Sequence, residues 1–161
     1  HDNDQQVEQA LKEGRADIGI IILPASKGLT AWELLKDEYV VLLPPETQLE
    51  GDELTWAALV KQPLLMPPVD YIMMRPVYSH INGLGYRLNV VNEVETDAAT
   101  VSLVAQGLGG TILPRLAALP IPDAVQVYAL PVPLERPIGV AVLTDSLQSP
   151  AVYALLDILK Q

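Results

Sequence analysis

The chain has 161 residues, half of them hydrophobic, and contains no cysteine. This length and hydrophobic content allow a sizeable core, in one ordinary domain or two small lobes, and exclude a disordered chain. Twenty acidic residues against ten basic ones give a formal net charge of −10, which is the wrong sign for a surface that neutralises nucleic-acid phosphates. Without cysteine, a disulfide framework and thiolate metal sites are also excluded.

Neither a membrane span nor a leader is expected in this sequence. The longest purely aliphatic run, Ile20 to Leu23, is far shorter than the ~20 residues that a transmembrane helix needs. The chain opens with His1 and has no basic and apolar leader. We therefore expect a piece of a longer protein that does not enter a membrane.

The first quarter of the chain predicts one helix and at least two strands. Apolar residues at helical spacing predict a helix over Asp4 to Glu13. The aliphatic run from Asp17 to Leu23 is typical of a parallel strand that is buried on both faces. Leu29 to Leu35 fits a helical turn or an edge strand equally well. Tyr39 to Leu43 predicts a strand, which two prolines close.

The middle of the chain predicts a short helix, a short strand and a second helix, over Thr55 to Val60, Leu64 to Met66 and Pro76 to Asn82. A strand, helix, strand unit follows. The first strand of this unit is predicted over Val90 to Val94. Thr96 or Asp97 caps a helix over Ala98 to Gln106, and Gly107 ends that helix. The second strand is predicted over Thr111 to Leu113, before Pro114.

Ligands of open α/β sheets bind beyond the carboxyl ends of the strands, where helix N-termini present N–H groups and a partial positive charge. We therefore expect a ligand near Thr96.

The last part predicts a helical turn over Leu116 to Leu119 and strands over Val125 to Ala129 and Ile138 to Leu143. Ser149 and Pro150 form a cap and first-turn pair for a final helix. Its predicted apolar stripe consists of Val152, Leu155, Leu156 and Leu159. Strands that alternate with helices indicate an α/β protein with mostly parallel sheets.

Polar and proline-rich stretches near Pro45 and Pro137 predict two lobes. Residues 1–44 and 137–161 would form lobe I, and residues 45–136 would form lobe II. Two crossing segments would then join the lobes, with a cleft between them.

Four stretches in this order resemble the effector-binding domain of LysR-type transcriptional regulators: ALKEGRADIGI from Ala10, LLKDEYVVLLPP from Leu34, LTWAALVKQPLLMPP from Leu54 and VNEVETDAATVSLVAQGLGGTILP from Val91. The resemblance implies the α/β fold of type 2 periplasmic binding proteins, with two Rossmann-like lobes, a two-strand hinge and an effector in the cleft. It also implies that an N-terminal winged helix-turn-helix, a linker helix and the first strands of lobe I precede this chain, so that lobe I is incomplete.

The family pattern assigns effector-binding roles to six residues: Asp4, Pro24, Ser26, Asp70, Met74 and Thr96. Arg75 joins them because a guanidinium can hold a carboxylate or phosphate, which favours an anionic effector. Simpler roles compete with these assignments. Asp4, Thr96 and Asp97 can cap helices, Ser26 and Asp70 can shape turns, and Arg75 can be solvated.

The sequence gives little support for a catalytic site. It contains neither a GxSxG elbow, a P-loop nor an HExxH motif, and its two histidines lack metal-ligand spacing. The acid pairs Asp37 with Glu38 and Glu93 with Glu95 are expected to be solvated or to cap helices. We therefore assign no catalytic residue, no metal and no cofactor.

The resemblance implies an effector-sensing domain of a cytoplasmic regulator that performs no chemistry on its effector. Effector binding would shift the populations of lobe orientations, and contacts within a homodimer or homotetramer would pass the signal on. DNA would be bound only by the N-terminal winged helix-turn-helix, which this chain lacks. The alternatives are a solute-binding protein of a transporter and, on the same two-lobe scaffold, an enzyme.

Overall fold

The computed structural model describes residues 3–71 and 74–161, with six helices and seven strands assigned in these ranges. The helices are α1 (Asn3–Lys12), α2 (Trp56–Leu59), α3 (Arg75–Gly83), α4 (Asp97–Ala105), α5 (Arg115–Ala118) and α6 (Pro150–Leu159). The strands are β1 (Gly19–Ile22), β2 (Leu29–Leu43), β3 (Leu64–Met66), β4 (Val90–Glu93), β5 (Thr111–Pro114), β6 (Gln126–Ala129) and β7 (Glu135–Leu143).

Local signals placed most of these elements correctly. The Ser149 Oγ accepts a hydrogen bond from the Val152 N–H at 3.3 Å, which caps α6 as predicted. Gly107, directly after the last residues of α4, has a φ of +87°, a conformation that glycine adopts without steric cost. The segment with two possible structures, Leu29 to Leu35, is the first part of the long strand β2.

Two compact units divide the described chain: the residues up to Asp37 together with Arg136–Gln161 form unit 1, and Glu38–Glu135 form unit 2. The first changeover therefore lies inside β2, whereas the prediction put it after Pro44. The reason is pairing, because the last part of β2, Tyr39 to Leu43, forms ladders with β5 and β6 of unit 2.

Unit 1 buries both sides of β7. Ala141 packs in one cluster with Leu11 of α1 and Ile21 of β1, and its neighbour Val140 packs in another with Leu156 of α6. Adjacent residues of a strand point to opposite faces. Helices α1 and α6 therefore pack on opposite faces of β7.

Two predictions about unit 1 are wrong. Strand β1 pairs antiparallel with β7, with Gly19 opposite Ala141, and Ile20 is 52% exposed, so β1 is neither parallel nor buried on both faces. The predicted apolar stripe of α6 is wrong at Leu155, which is 42% exposed, whereas Leu156 is only 4% exposed. An aliphatic run predicts that a segment is buried, but it carries no information on the direction of the neighbouring strand.

Unit 2 combines antiparallel and parallel pairs. Strand β2 pairs antiparallel with β5 and with β6. Strand β3 pairs parallel with β4, and Leu64 forms a parallel bridge with Gly110 just before β5. The predicted predominance of parallel pairs is therefore wrong, although the mixed α/β class is right.

The core of unit 2 lies on both faces of β2. Val41 and Leu43 pack in a cluster that includes residues of α2 and α3, whereas Val40 and Leu42 pack in a second cluster with residues of α4 and α5. Helices thus cover both faces of the sheet, as in doubly wound α/β folds.

Candidate functional site

Two helices of unit 2 begin at the same edge of its sheet. Strands β3 and β4 are parallel, and the Val94 N–H donates a hydrogen bond of 2.9 Å to the Met66 carbonyl just beyond their last paired residues. Helices α3 and α4 are the next helices along the chain. Because parallel strands end at one edge, this "carboxyl edge" receives the positive ends of both helix dipoles.

Thr96 lies at the carboxyl edge and caps α4. Its Oγ1 accepts a hydrogen bond from the Ala99 N–H at 3.2 Å, and its carbonyl accepts one from the Thr100 hydroxyl at 2.8 Å. The Thr96 side chain is exposed, and Thr100 is fully buried. Capping is therefore an established structural role of Thr96, and its outer face remains open to solvent.

The capping role predicts the stability of two variants. Thr96→Ala removes the oxygen that satisfies the Ala99 N–H, so we expect the free energy of unfolding to fall by about 1 kcal/mol. Thr96→Ser keeps that oxygen and should stay within about 0.3 kcal/mol of the original chain. Urea unfolding followed by circular dichroism measures both. An equal loss in the two variants would show that the methyl group matters and the cap does not.

Arg75 and Asp70 also belong to the loops and helix ends that follow β3. Arg75 is the exposed first residue of α3, and it has no ion-pair partner within the described ranges. The N-cap residue of α3 forms no side-chain hydrogen bond to the helix. Asp70 is exposed in a turn. Within the described part of the chain, this edge therefore offers a guanidinium without an ion pair and a helix N-terminus without a side-chain cap.

Met74 has a different environment from the one predicted. Its side chain is 2% exposed and packs in the cluster that contains Tyr39, Val77 and Ile81. A ligand in open solvent has no access to a side chain buried to this degree. Met74 therefore packs in the core of unit 2, and its contact with a ligand stays a prediction.

Three predicted site residues lie in unit 1. The Asp4 Oδ1 accepts a hydrogen bond of 2.8 Å from the Ile22 N–H, which ties α1 to β1. Pro24 is exposed in the loop that follows β1. The Ser26 hydroxyl is buried without a hydrogen-bond partner in the part of the chain that the structure describes. A buried hydroxyl without a partner is costly, which makes Ser26 the strongest candidate of the three for a ligand contact.

Tyr78 is a polar residue that the sequence did not single out. Its hydroxyl on α3 is buried and has no hydrogen-bond partner among the described residues. Burial, and to a smaller extent the negative charge of Glu93, raise the pKa of Tyr78 above its usual 10.0. A tyrosine within an amphipathic helix pattern gives no signal of this kind, because its burial depends on tertiary packing.

The raised pKa of Tyr78 predicts how stability depends on pH. Above pH 10 the unfolded chain ionises this phenol while the folded chain resists ionisation, so stability should fall as the pH rises through the folded pKa. Tyr78→Phe removes both the titration and the unpaired hydroxyl. It should therefore leave stability unchanged at pH 7 or raise it by up to about 1 kcal/mol, with a larger advantage above pH 10. Unfolding curves of both proteins at pH 7 and pH 11 test this, and a Phe variant that is less stable at pH 7 would reveal a partner for the hydroxyl.

The expectation that Asp37 is solvated or caps a helix is wrong. Asp37 is 3% exposed, and its Oδ2 lies 2.9 Å from the Nε of Arg136, so it is buried and ion-paired instead of solvated. Its partner lies 99 residues away along the chain, beyond the reach of local sequence patterns. Elsewhere, no group of three or more His, Cys, Asp or Glu residues in the described ranges could hold a metal ion.

The family profile for the LysR substrate binding domain matches residues 1–161. The chain belongs to the LysR substrate-binding domain family. It is similar to the probable HTH-type transcriptional regulator LrrA of Synechococcus elongatus, with 48% identity over 98% of this chain and 53% of LrrA. It is also similar to the uncharacterised HTH-type regulator YfeR of Shigella flexneri, with 33% identity over 76% of this chain and 41% of YfeR. The chain thus spans about half the length of these curated relatives.

Solved structures show the same fold. The regulatory domain of CcmR from Synechocystis PCC6803, in complex with 2-PG, is 18% identical, with a TM-score of 0.82 over 98% of this chain and 78% of that one. The effector-binding domain of QuiR, in complex with shikimate, is 22% identical, with a TM-score of 0.77 over 96% of this chain and 75% of that one. The type 2 periplasmic-binding-protein-like fold is therefore confirmed. None of the described helices is long and apolar enough to span a membrane.

Proposed function

We propose that this chain is the effector-sensing part of a cytoplasmic LysR-type transcriptional regulator, and that it binds a small anionic metabolite without altering it. The observation that carries the proposal is the family match over all 161 residues. The relatives named above are transcriptional regulators, which favours this role over a transport protein or an enzyme. DNA binding and assembly into a homodimer or homotetramer are proposed for the whole regulator.

The carboxyl edge of unit 2 is the anion-binding surface that we propose. The exposed Arg75 guanidinium can donate two parallel hydrogen bonds to a carboxylate or phosphate. The positive end of the α3 helix dipole adds a partial positive charge at the same place. Thr96 and Asp70 border this surface, and Asp70 would select against anions that approach from its side.

In unit 1, Ser26 is the ligand contact that we propose. Ser26 has a buried hydroxyl without a partner in the described ranges, and a hydroxyl or carboxylate of an effector would satisfy it. Pro24 shapes the same loop. Asp4 is engaged with the Ile22 N–H and therefore positions that loop instead of meeting the ligand directly.

Ligand-induced stabilisation tests the proposal. We would measure the thermal midpoint of this chain with shikimate, 2-PG and inorganic phosphate, and then with a broader panel of small carboxylates and phosphates. A ligand present at 100 times its Kd stabilises the folded state by about 2.7 kcal/mol. We expect at least one anion of the panel to stabilise the chain and Arg75→Gln to abolish most of that shift.

Arg87→Gln is the matched control. Arg87 is also exposed, and it too has no ion pair within the described ranges. This variant loses the same charge, so it should keep the anion-induced shift. Equal loss of the shift in both variants would indicate non-specific attraction of anions, and conversion of a panel metabolite during the assay would favour an enzyme.

A further inference from the structure

A groove of about 800 Å³ runs beside β6 in unit 2. Its first wall is the stretch Val127 to Pro131, and its second wall consists of Asp52 to Ala57 together with Tyr86. We call it the β6 groove. It shares none of its lining residues with the carboxyl edge, so it is a separate feature of the unit.

The β6 groove follows the edge of the sheet. Consecutive residues of a strand point to opposite faces, so a groove over one face would contact only alternate residues. Three consecutive residues of β6, Val127 to Ala129, line this one, together with the next two residues of the chain, which places it along the main chain at the end of β6. Among the described strands, β6 pairs with β2 alone. Every second residue of β6 therefore directs its N–H and C=O away from β2, towards the groove side.

The second wall is aromatic and acidic. The rings of Trp56 and Tyr86 stack with their centroids 5.1 Å apart and an interplanar angle of 16°, which makes a flat apolar surface. Asp52 and Glu53 are exposed beside it. The described lining residues include no Lys or Arg. The groove therefore combines unpaired backbone groups, apolar contact area and negative charge.

We propose that the β6 groove binds an extended, basic segment of a partner protein, which adds to β6 as an antiparallel or parallel strand. Backbone hydrogen bonds to β6 would supply affinity that does not depend on sequence. Alternate side chains of the added strand would meet Trp56 and Tyr86, and its Lys or Arg residues would meet Asp52 and Glu53. Partner recruitment through this edge is separate from effector binding.

Charge argues against a second copy of the chain as the occupant. Pairing of β6 with β6 of another copy would bring two sets of Asp52 and Glu53 to one interface, in a protein whose formal net charge is already −10. Like charges that face each other across an interface oppose association. A basic segment relieves the same repulsion.

A synthetic peptide tests the proposal on this chain. The probe is an alternating Lys-Val peptide of about eight residues, a usual strand length, and its Glu-Val counterpart serves for comparison. Amide hydrogen exchange measured by NMR should show added protection of those amides within Val127 to Leu130 that face away from β2 when the Lys-Val peptide is present, and no added protection with the Glu-Val peptide.

Charge reversal supplies the matched controls. The double variant Asp52→Lys with Glu53→Lys should weaken binding of the Lys-Val peptide about tenfold or more. The double variant Asp17→Lys with Asp157→Lys changes the net charge equally at exposed sites in unit 1, and it should retain most of the affinity. Thermal midpoints of both variants confirm that each is folded.

Four results would overturn the proposal. They are equal weakening by the two double variants, protection confined to amides outside Val127 to Leu130, absence of binding at millimolar peptide, and protection of β6 that depends on protein concentration without peptide. The last of these would assign the groove to a second copy of the chain.

Discussion

Arg136→Met should lower the free energy of unfolding by about 3–5 kcal/mol, because it removes the ion pair of a buried carboxylate. The Arg136 Nε lies 2.9 Å from the Asp37 Oδ2, and the two side chains are only 14% and 2% exposed. Methionine keeps much of the apolar stem of arginine, so the loss reports mainly on the charge and its hydrogen bond. Urea unfolding followed by circular dichroism measures the difference.

The exposed ion pair of unit 2 provides the control for Arg136. Arg115 Nη2 lies 3.8 Å from Glu38 Oε2, with side chains 47% and 42% exposed. Arg115→Met should therefore cost less than about 0.5 kcal/mol. Adding Asp37→Leu to Arg136→Met should recover most of the loss, since an apolar pair leaves no buried charge. Equal effects of the two arginine variants would contradict the buried pair.

Gly110→Ala should destabilise the chain by about 2–3 kcal/mol through overpacking. A Cβ at Gly110 would lie 2.7 Å from the Leu43 Cδ2 and 2.9 Å from the Leu42 carbonyl oxygen. The second of these atoms is backbone and cannot rotate away. Gly110 also joins the strands, since its N–H donates to Pro63 O and its carbonyl accepts from Leu65 N–H, both at 2.8 Å.

Gly83→Ala is the control for Gly110. Gly83 is the last residue of α3, and a Cβ there would meet no atom within 4 Å. Alanine has a higher helix propensity than glycine, so this variant should be neutral or slightly more stable. Both variants can be compared by their thermal midpoints. A Gly110→Ala protein as stable as Gly83→Ala would contradict the close packing of β5 against β2 and β3.

The elements of this fold that local chemistry determines could be predicted from the sequence. Thr96 and Ser149 cap their helices as expected, because capping depends on a side-chain oxygen two or three residues from the N–H it accepts. The strand, helix, strand order of β4, α4 and β5 follows from signals of the same short range. Polar and proline-rich stretches predicted two lobes, and the family resemblance supplied the type 2 periplasmic-binding-protein fold, which no local pattern contains.

Features that depend on distant residues could not be predicted. The antiparallel direction of β1 depends on β7, more than 100 residues later in the chain. The burial of Asp37 depends on Arg136, and the place where unit 2 begins depends on which strands pair with the end of β2. Hydrophobic patterning predicts whether a segment is buried, but it does not identify the strand or helix that packs beside it.

The position of the candidate site stays a prediction from the sequence, whereas the burial of its residues depends on packing. The rule that ligands gather beyond the carboxyl ends of parallel strands selected Thr96, and Arg75 is exposed at the same edge. The burial of Met74 could not be predicted, because a methionine in a loop pattern can equally fill a core. Its 2% exposure is a property of the packed unit.

An NMR titration of the isotopically labelled chain with shikimate, 2-PG and inorganic phosphate tests whether the carboxyl edge of unit 2 binds an anion. We expect an anion to shift the amide signals of the loops after β3 and β4 in a saturable way, and we expect Arg75→Gln to remove these shifts while Arg87→Gln keeps them. Saturable shifts that lie elsewhere in unit 2, or that survive Arg75→Gln unchanged, would contradict an anion site at the carboxyl edge.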